Sequence, residues 1–126
     1  FAVAALGGIS LLVGAVGIFT IMTIAVRERT SEIGLLRALG AERDEVLAVF
    51  LVEAVVLSVL GGLAGLAFGA GVAWLLGETV RQLPVSFSPL FMGLSMGLSV
   101  VIGLVAGILP ALNAANLDPV AALRAE

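Results

Sequence analysis

Side chains that could do chemistry are few in this chain, and most of the charged ones are gathered in one segment. The 126 residues include no Cys, no His and no Lys. This excludes disulfides, thiolate metal sites, the commonest zinc ligand and general base, and the phosphate-binding lysine of a P-loop. The charged residues are six Arg and nine acidic residues, and nine of these fifteen lie between Arg27 and Glu45. With no nucleophile–base pair visible, an intrinsic enzyme is the least favoured interpretation.

The segments that must position these charges are strongly apolar. The chain is 61% apolar and 12% charged, with a mean hydropathy of +1.25, whereas a soluble domain averages about 45–50% apolar and about 25% charged. Residues 1–26, 54–77 and 82–117 carry no charge at all. Each stretch is long enough for a helix that crosses the hydrocarbon core, which takes about 20 residues. The sequence therefore predicts an all-α membrane protein.

We expect one transmembrane domain with three spans, at residues 1–26, 46–77 and 89–115. A charged segment at 27–45 joins the first two spans, a loop at 78–88 joins the last two, and a tail follows at 116–126. The first span has no initiating Met and no basic leader region, so it does not look like a signal peptide. The missing Met suggests a fragment of a longer chain.

The placement of arginine predicts the orientation of the spans. The first loop holds Arg27, Arg29, Arg37 and Arg43, whereas the second holds only Arg81. Loops rich in Lys and Arg stay on the cytoplasmic side, and acidic residues count for little. We therefore expect the first loop and the C-terminus in the cytoplasm, and the N-terminus and the second loop outside.

Small residues recur every four positions along the second span, which places them on one face of a helix. In lipid, such a face lets another helix approach closely, because packing rather than hydrophobicity drives helix association there. The alternative is that glycine is simply common in membrane helices. The candidate packing positions are Gly61, Gly65, Gly69, Ala73 and Gly77 in the second span, and the pairs Gly93/Gly97 and Gly103/Gly107 in the third.

Glu53 is the one carboxylate expected inside a span, about two turns from the cytoplasmic end of the second span. An acid at such a position is costly and is by default a functional-site hypothesis. Structural pairing with an Arg or an Asn near the membrane face is the favoured interpretation. A proton or ion role is the alternative.

The charged segment predicts a short amphipathic helix at residues 30–39. Thr30 or Ser31 can cap its start, Glu32 suits its first turn, and Gly40 suits its end. Such a helix either lies on the lipid surface or docks into a cytoplasmic partner, and we favour docking. Its apolar side would carry Leu35, Leu36 and Leu39.

The tail repeats this pattern on a smaller scale. Asp118 is placed to cap a helix that Pro119 begins and that ends near Arg124. One or two turns are expected there. At the start of the third span, Ser88 is likewise placed to cap a helix that begins at Pro89.

Three motifs follow one another along the chain. The first is Glu32-Ile33-Gly34-Leu35-Leu36-Arg37-Ala38-Leu39-Gly40-Ala41. The second is Phe50-Leu-Val-Glu-Ala54 followed by Gly61, Gly62 and Gly65. The third is Pro110-Ala, then Ala114-Ala-Asn-Leu-Asp-Pro119, and Ala122-Leu-Arg124 with Glu126. In this order and spacing they resemble the FtsX-like (MacB-type) permeases of ABC transporters, and together they cover essentially the whole chain.

The resemblance implies a role and a set of partners. Such permeases have one membrane helix, then a large extracytoplasmic domain, and then three further membrane helices. This chain is similar to those last three helices. Residues 32–41 would then lie in the coupling helix that contacts an ABC ATPase subunit. The ATPase would bind ATP and Mg, so that this chain would need no cofactor of its own. A second permease chain, identical or not, and the bilayer of a bacterial-type plasma (inner) membrane would complete the assembly, with no nucleic acid.

The function that follows from the resemblance is the coupling of ATP hydrolysis to an extracytoplasmic domain, for efflux or lipoprotein release. Two other classes remain open. A conventional substrate-conducting transporter subunit predicts a polar lining in the assembled dimer, and a purely structural membrane module predicts that the loop tolerates substitution. The sequence does not name the substrate, because in this family the domain outside the membrane would choose it.

Overall fold

The computed structural model describes residues 1–80 and 86–124, and these residues form five helices. No strand occurs within these two ranges. Arg81 and Glu126, which belong to the predicted outer loop and tail, lie outside the described residues. The helices are α1 (Ala2–Glu28), α2 (Thr30–Ala38), α3 (Arg43–Thr79), α4 (Pro89–Ala115) and α5 (Pro119–Leu123).

The helices α1, α3 and α4 are each long and apolar enough to cross a membrane. This confirms the predicted all-α fold with three membrane-spanning helices. α4 has the predicted bounds, whereas α1 ends at Glu28 rather than residue 26 and α3 runs from Arg43 to Thr79 rather than from 46 to 77. The additional residues include charged ones. A helix continues beyond the hydrocarbon core as long as its backbone hydrogen bonds continue, so its ends can carry charge.

The starts of the later helices follow local rules. The backbone N–H of Glu42, the residue before α3, donates to the Glu45 carboxylate over 2.9 Å. Pro89 is the first residue of α4, as predicted, and Ser88 occupies the N-cap position. The predicted capping bond of Ser88 is wrong, because its hydroxyl makes no hydrogen bond to the helix start.

The three long helices bury residues against one another only at the end of the bundle that carries α2 and α5, within the part of the chain that the structure describes. α4 lies against both α3 and α1, whereas α1 and α3 contact each other much less. Every buried residue of the long helices falls in this half, which we call the α2 end. They are Met22 and Val26 of α1, Val46, Phe50, Ala54 and Ser58 of α3, and Gly103, Gly107, Pro110, Ala111, Ala114 and Ala115 of α4.

Small residues bring the long helices together at this end. A Cβ atom on Gly107 would lie 2.5 Å from the Ala54 Cβ and 3.2 Å from the Met22 Sδ. One glycine of α4 therefore contacts both other spans at a single point. A Cβ on Gly103 would meet the Ser58 side chain in the same way.

The opposite half of the bundle is open. A lateral cavity of about 780 Å³ lies between the long helices there. No residue of 2–21, 59–79 or 89–102 is buried within the part of the chain that the structure describes. The lining is mostly apolar and includes Ser10, Gly14, Gly61, Gly65, Gly69 and Ser95.

Candidate functional site

The short helix α2 follows α1 after a single intervening residue. Arg29 ends α1 and precedes α2, with φ −100° and ψ 15°. The Thr30 hydroxyl lies within hydrogen-bond distance of two α1 carbonyls, 3.0 Å from Val26 and 2.9 Å from Arg27. The prediction that Thr30 or Ser31 caps α2 is therefore wrong: Arg29 is the N-cap residue, and the Thr30 side chain bonds backwards to α1. This bonding ties the start of α2 to the end of α1.

The end of α2 is defined by Gly40, as the sequence predicts. Gly40 has φ +104°, a conformation that residues with a Cβ rarely adopt. Its N–H donates to the Arg37 carbonyl over 3.2 Å, and the N–H of Ala41 donates to the Leu36 carbonyl over 3.0 Å. This pair of bonds is a Schellman motif, which satisfies carbonyls at the helix end. The chain then turns sharply towards α3.

α2 has one face against the bundle and one face away from it. Ile33, at 3% exposure, and Gly34 are buried. Leu35, Leu36 and Leu39 are 53%, 54% and 78% exposed and, at helical spacing, occupy the opposite face. We call these three residues the leucine face. They contribute little to the packing of the chain itself and are available to a neighbouring surface.

The two charged residues of α2 lie on different sides of the helix. Glu32 is exposed in the first turn, whereas Arg37 is half-buried. Arg37 comes four residues after the buried Ile33 and three after the buried Gly34, which places it on the side that faces the bundle. Its Nε atom is buried and has no hydrogen-bond partner among the described residues.

The tail helix α5 lies directly against α2. The Asp118 carboxylate accepts a hydrogen bond from the Val120 N–H over 3.0 Å, which confirms that Asp118 caps the helix that Pro119 begins. A Cβ atom built on Gly34 would lie 2.6 Å from the Ala122 Cβ. The structure thus joins the two motifs at 32–41 and 118–124, which the sequence places far apart. Arg124 is exposed.

Glu53 pairs with an arginine of the preceding loop. Its carboxylate lies 3.6 Å from the Arg29 guanidinium, and the two side chains are 32% and 50% exposed. This is the kind of structural pairing that the sequence favoured for an acid at this depth. Because both groups are partly exposed, the ion pair itself contributes little to stability. It does link the α1–α2 junction to α3.

The glycines predicted to pack are mostly not those that pack within this chain. A Cβ on Gly61, Gly65 or Gly69 would meet nothing within 4 Å, and the same holds for Gly93 and Gly97. Of the predicted positions, Gly103 and Gly107 do make close approaches within the chain, and so does Gly62, which was not singled out by its spacing. Gly61, Gly65 and Gly69 line the open cavity, whereas Gly93 and Gly97 do not. A packing role for these five stays a prediction about another helix.

The described residues offer no metal site built from acidic side chains. Across residues 1–80 and 86–124, no three Asp or Glu groups come together in a way that could hold an ion. The α2 end presents an exposed apolar helical face, the leucine face, with the exposed Glu32 on the same helix.

The chain is similar in sequence to known permeases of ABC transporters. It is 43% identical over 126 residues to a macrolide export ATP-binding/permease protein MacB of Bradyrhizobium diazoefficiens, covering 100% of this chain and 19% of that protein. It is 46% identical over 123 residues to a pyoverdine export ATP-binding/permease protein PvdT of Pseudomonas savastanoi, covering 96% and 18%. An uncharacterized ABC transporter permease YknZ of Bacillus subtilis is 44% identical over 124 residues, covering 98% and 31%.

These findings define the class of protein and then the family. Three apolar spans and relatives that are permeases make the chain an integral membrane domain of the ABC permease class. The model of the FtsX-like permease C-terminal family matches residues 4–119, and the chain belongs to that family. The chain spans less than a third of the length of each of these three relatives.

Proposed function

We propose that this chain is the membrane part of an ABC transporter permease that couples ATP hydrolysis in the cytoplasm to an extracytoplasmic domain. The ATPase, which binds ATP and Mg, is a partner subunit or another domain of the same protein. The permease works as a dimer with a second permease chain, identical or not. It lies in a bacterial plasma (inner) membrane with α2 and α5 in the cytoplasm and the N-terminus outside. The chain itself has no catalytic residue and binds no cofactor.

The observation that carries this proposal is the leucine face of α2. A helix that only connects two spans would bury its apolar residues or place them on the lipid. In α2, Ile33 and Gly34 already provide the contact with the bundle. Three further leucines remain exposed on the other side. A contiguous patch of exposed apolar side chains marks a surface that binds another protein or a membrane. The names of the MacB and PvdT relatives join ATP binding with a permease, which supports an ATPase as the partner.

The open half of the bundle supports motion rather than conduction as the role of the spans. Its lateral cavity is lined mainly by glycine and apolar side chains, with Ser10, Ser58, Ser95 and Ser99 as polar exceptions. A hydrophilic permeation path needs a more continuous polar lining. A conventional substrate-conducting subunit would therefore have to build its path from a second chain.

The test is Leu36→Asp in the full-length transporter that contains this chain. We expect the variant to insert and assemble but to lose co-purification with the ATPase and to lose transport-coupled activity. Truncation of an interface hot spot costs about 2 kcal/mol or more, and a buried unpaired charge adds to that. Leu36→Met is the matched control, because it keeps an apolar side chain of similar volume and should stay coupled.

A charge reversal tests the same surface independently. Arg37→Glu should weaken ATPase binding, and a reversed charge on the facing ATPase surface should partly restore it. A lipid-surface role for α2 predicts that neither substitution changes ATPase binding. A fully coupled transporter that carries Leu36→Asp would refute the proposed function, and it would favour the purely structural module.

A further inference from the structure

The contact between α2 and α5 is closer than two ordinary side chains allow. A Cβ on Gly34 would lie 2.6 Å from the Ala122 Cβ and 3.5 Å from the Pro119 carbonyl oxygen. Ala122 is 2% exposed, so its methyl group fills the space that a side chain on Gly34 would need. A larger side chain at either Gly34 or Ala122 would therefore push the two helices apart.

The tail helix α5 is in turn held to α4. Only Asn116, Leu117 and Asp118 separate the two helices. The Leu117 N–H donates to the Ala114 carbonyl over 3.3 Å, and the Leu117 side chain packs against the buried core. Asp118 and Pro119 then fix the direction of α5 by a capping bond and a restricted backbone. A helix this short has no stability of its own, so its position depends on these attachments.

α2 is connected to the three long helices in different ways. Its start is bonded to α1 through Thr30, next to the Arg29–Glu53 ion pair that reaches α3, and residues 39–42 join its end to α3. Its middle lies against α5, and α5 is joined to α4. Without the contact with α5, a displacement of α2 would act directly on α1 and α3 and would lose its main route to α4.

We propose that Gly34 and Ala122 are positioning residues through which α5 fixes the coupling helix to α4, so that movement of α2 is passed to α4 as well as to α1. This inference rests on the proposed coupling function of α2. It assigns the tail motif the task of holding α2, whereas the leucine face makes the contact with the ATPase. Since α4 packs on both other spans, displacement delivered to α4 reaches the whole bundle.

The experiment exchanges the methyl group between the two helices in the full-length transporter. Gly34→Ala introduces a Cβ that overlaps the Ala122 methyl and forces α2 away from α5. Ala122→Gly removes the methyl and leaves a gap. The double variant Gly34→Ala with Ala122→Gly restores one methyl at the contact, now carried by α2. Alanine favours a helix more than glycine does, so a defect of Gly34→Ala does not come from a lower helix propensity of α2.

Matched controls separate the contact from general effects on the two helices. Ala121→Gly makes the same change as Ala122→Gly at an exposed position of α5. Ser31→Ala introduces alanine, as Gly34→Ala does, but at an exposed position of α2. Each variant is measured for its amount in the membrane, for co-purified ATPase, and for the number of transport events per ATP hydrolysed. A merely structural role would lower the amount of protein and leave that last ratio unchanged.

We expect Gly34→Ala to keep the ATPase bound while the ratio of transport to hydrolysis falls about fivefold, within the range that single substitutions have on coupling between sites. The double variant should recover most of the ratio, and both controls should match the unmodified transporter. A normal ratio in Gly34→Ala, or a double variant as impaired as the single one, would overturn the proposal. Leu36→Asp in the same assay judges the proposed function separately, because that variant should lose the ATPase itself.

Discussion

At Gly107, the missing side chain lets three helices meet at one point. The Ala54 Cβ lies on a neighbouring helix 2.5 Å from where a Gly107 Cβ would be, too close for an adjustment of side chains alone. The Met22 Sδ, at 3.2 Å, belongs to a flexible side chain and can move. Whether alanine is tolerated here is therefore decided by the α3–α4 backbone contact.

We expect Gly107→Ala to destabilise the folded domain by about 1–3 kcal/mol, the usual cost of overpacking. The gain in helix propensity offsets only part of this. The measurement is unfolding by denaturant in detergent, followed by circular dichroism. Gly97→Ala is the control, because its Cβ would meet nothing within 4 Å of this chain. Equal stability of the two variants would show that the close approach at Gly107 is absent in the membrane.

Glu53 carries a second prediction at this scale. If it serves to pair with Arg29 at 3.6 Å, Glu53→Gln keeps a hydrogen-bonding group of similar shape and should leave most of the transport activity. Exposed or partly exposed ion pairs contribute about 1 kcal/mol or less, which corresponds to a loss of no more than about fivefold. Complete loss of transport with normal assembly would instead support a proton or ion role.

At the scale of elements, the short helix α5 depends on its cap. The Asp118 carboxylate satisfies the Val120 N–H at the start of a helix of only five residues. Asp118→Ala should cost about 1 kcal/mol, whereas Asp118→Asn, another good capping residue, should cost little. Amide hydrogen exchange at residues 120–124 should be faster in the alanine variant only. Equal exchange in all three proteins would mean that packing on Gly34, and not the cap, holds α5.

At the scale of the whole molecule, the bundle is closed at the α2 end and open at the other. Gly61, Gly65 and Gly69 line the open cavity, and a Cβ on any of them would meet no atom of the described chain within 4 Å. Gly65→Leu should therefore leave the chain folded but disrupt its assembly, provided that another helix packs into the cavity. The measurement is the assembly size in detergent.

The control for this test must change the same residue type outside the cavity. Leu66, a control suggested by the sequence alone as an outward-facing position, is half-buried and lines the cavity. Gly71→Leu is the better match, because Gly71 is exposed on α3 and does not line the cavity. Identical assembly of Gly65→Leu and Gly71→Leu would show that the glycine spacing reflects composition and not an interface.

The orientation of the bundle is a further property of the whole molecule. Because the chain has no cysteine, single cysteines report their side of the membrane without interference. Ser31→Cys and Ser86→Cys, both at exposed positions, should react with a membrane-impermeant reagent from opposite sides, with Ser31 on the cytoplasmic side. Val85, which the sequence alone would suggest, lies outside the described residues. Labelling from the same side would refute the predicted topology.

The sequence by itself determined the features that depend on neighbours along the chain. The length of an apolar stretch fixes the span of a membrane helix, and α4 runs from Pro89 to Ala115 as predicted. The need for a positive φ fixes Gly40 as the end of α2. A carboxylate two residues before a free N–H fixes Asp118 as a cap. In each case the physical cause acts within a few residues, so that reading the chain locally is enough.

Only the tertiary structure decided which surfaces meet. Periodicity gives the angle between residues on one helix, but it does not say which neighbour fills the groove that they form. The regular spacing therefore predicted packing equally at Gly61, Gly65, Gly69, Gly103 and Gly107. Only the last two, together with Gly62, make close contacts within the described chain. The approach of Ala122 to Gly34 joins residues remote in sequence. It arises because α4 ends at the same end of the bundle as α1. The tail helix α5, which follows α4, therefore lies beside α2, which follows α1.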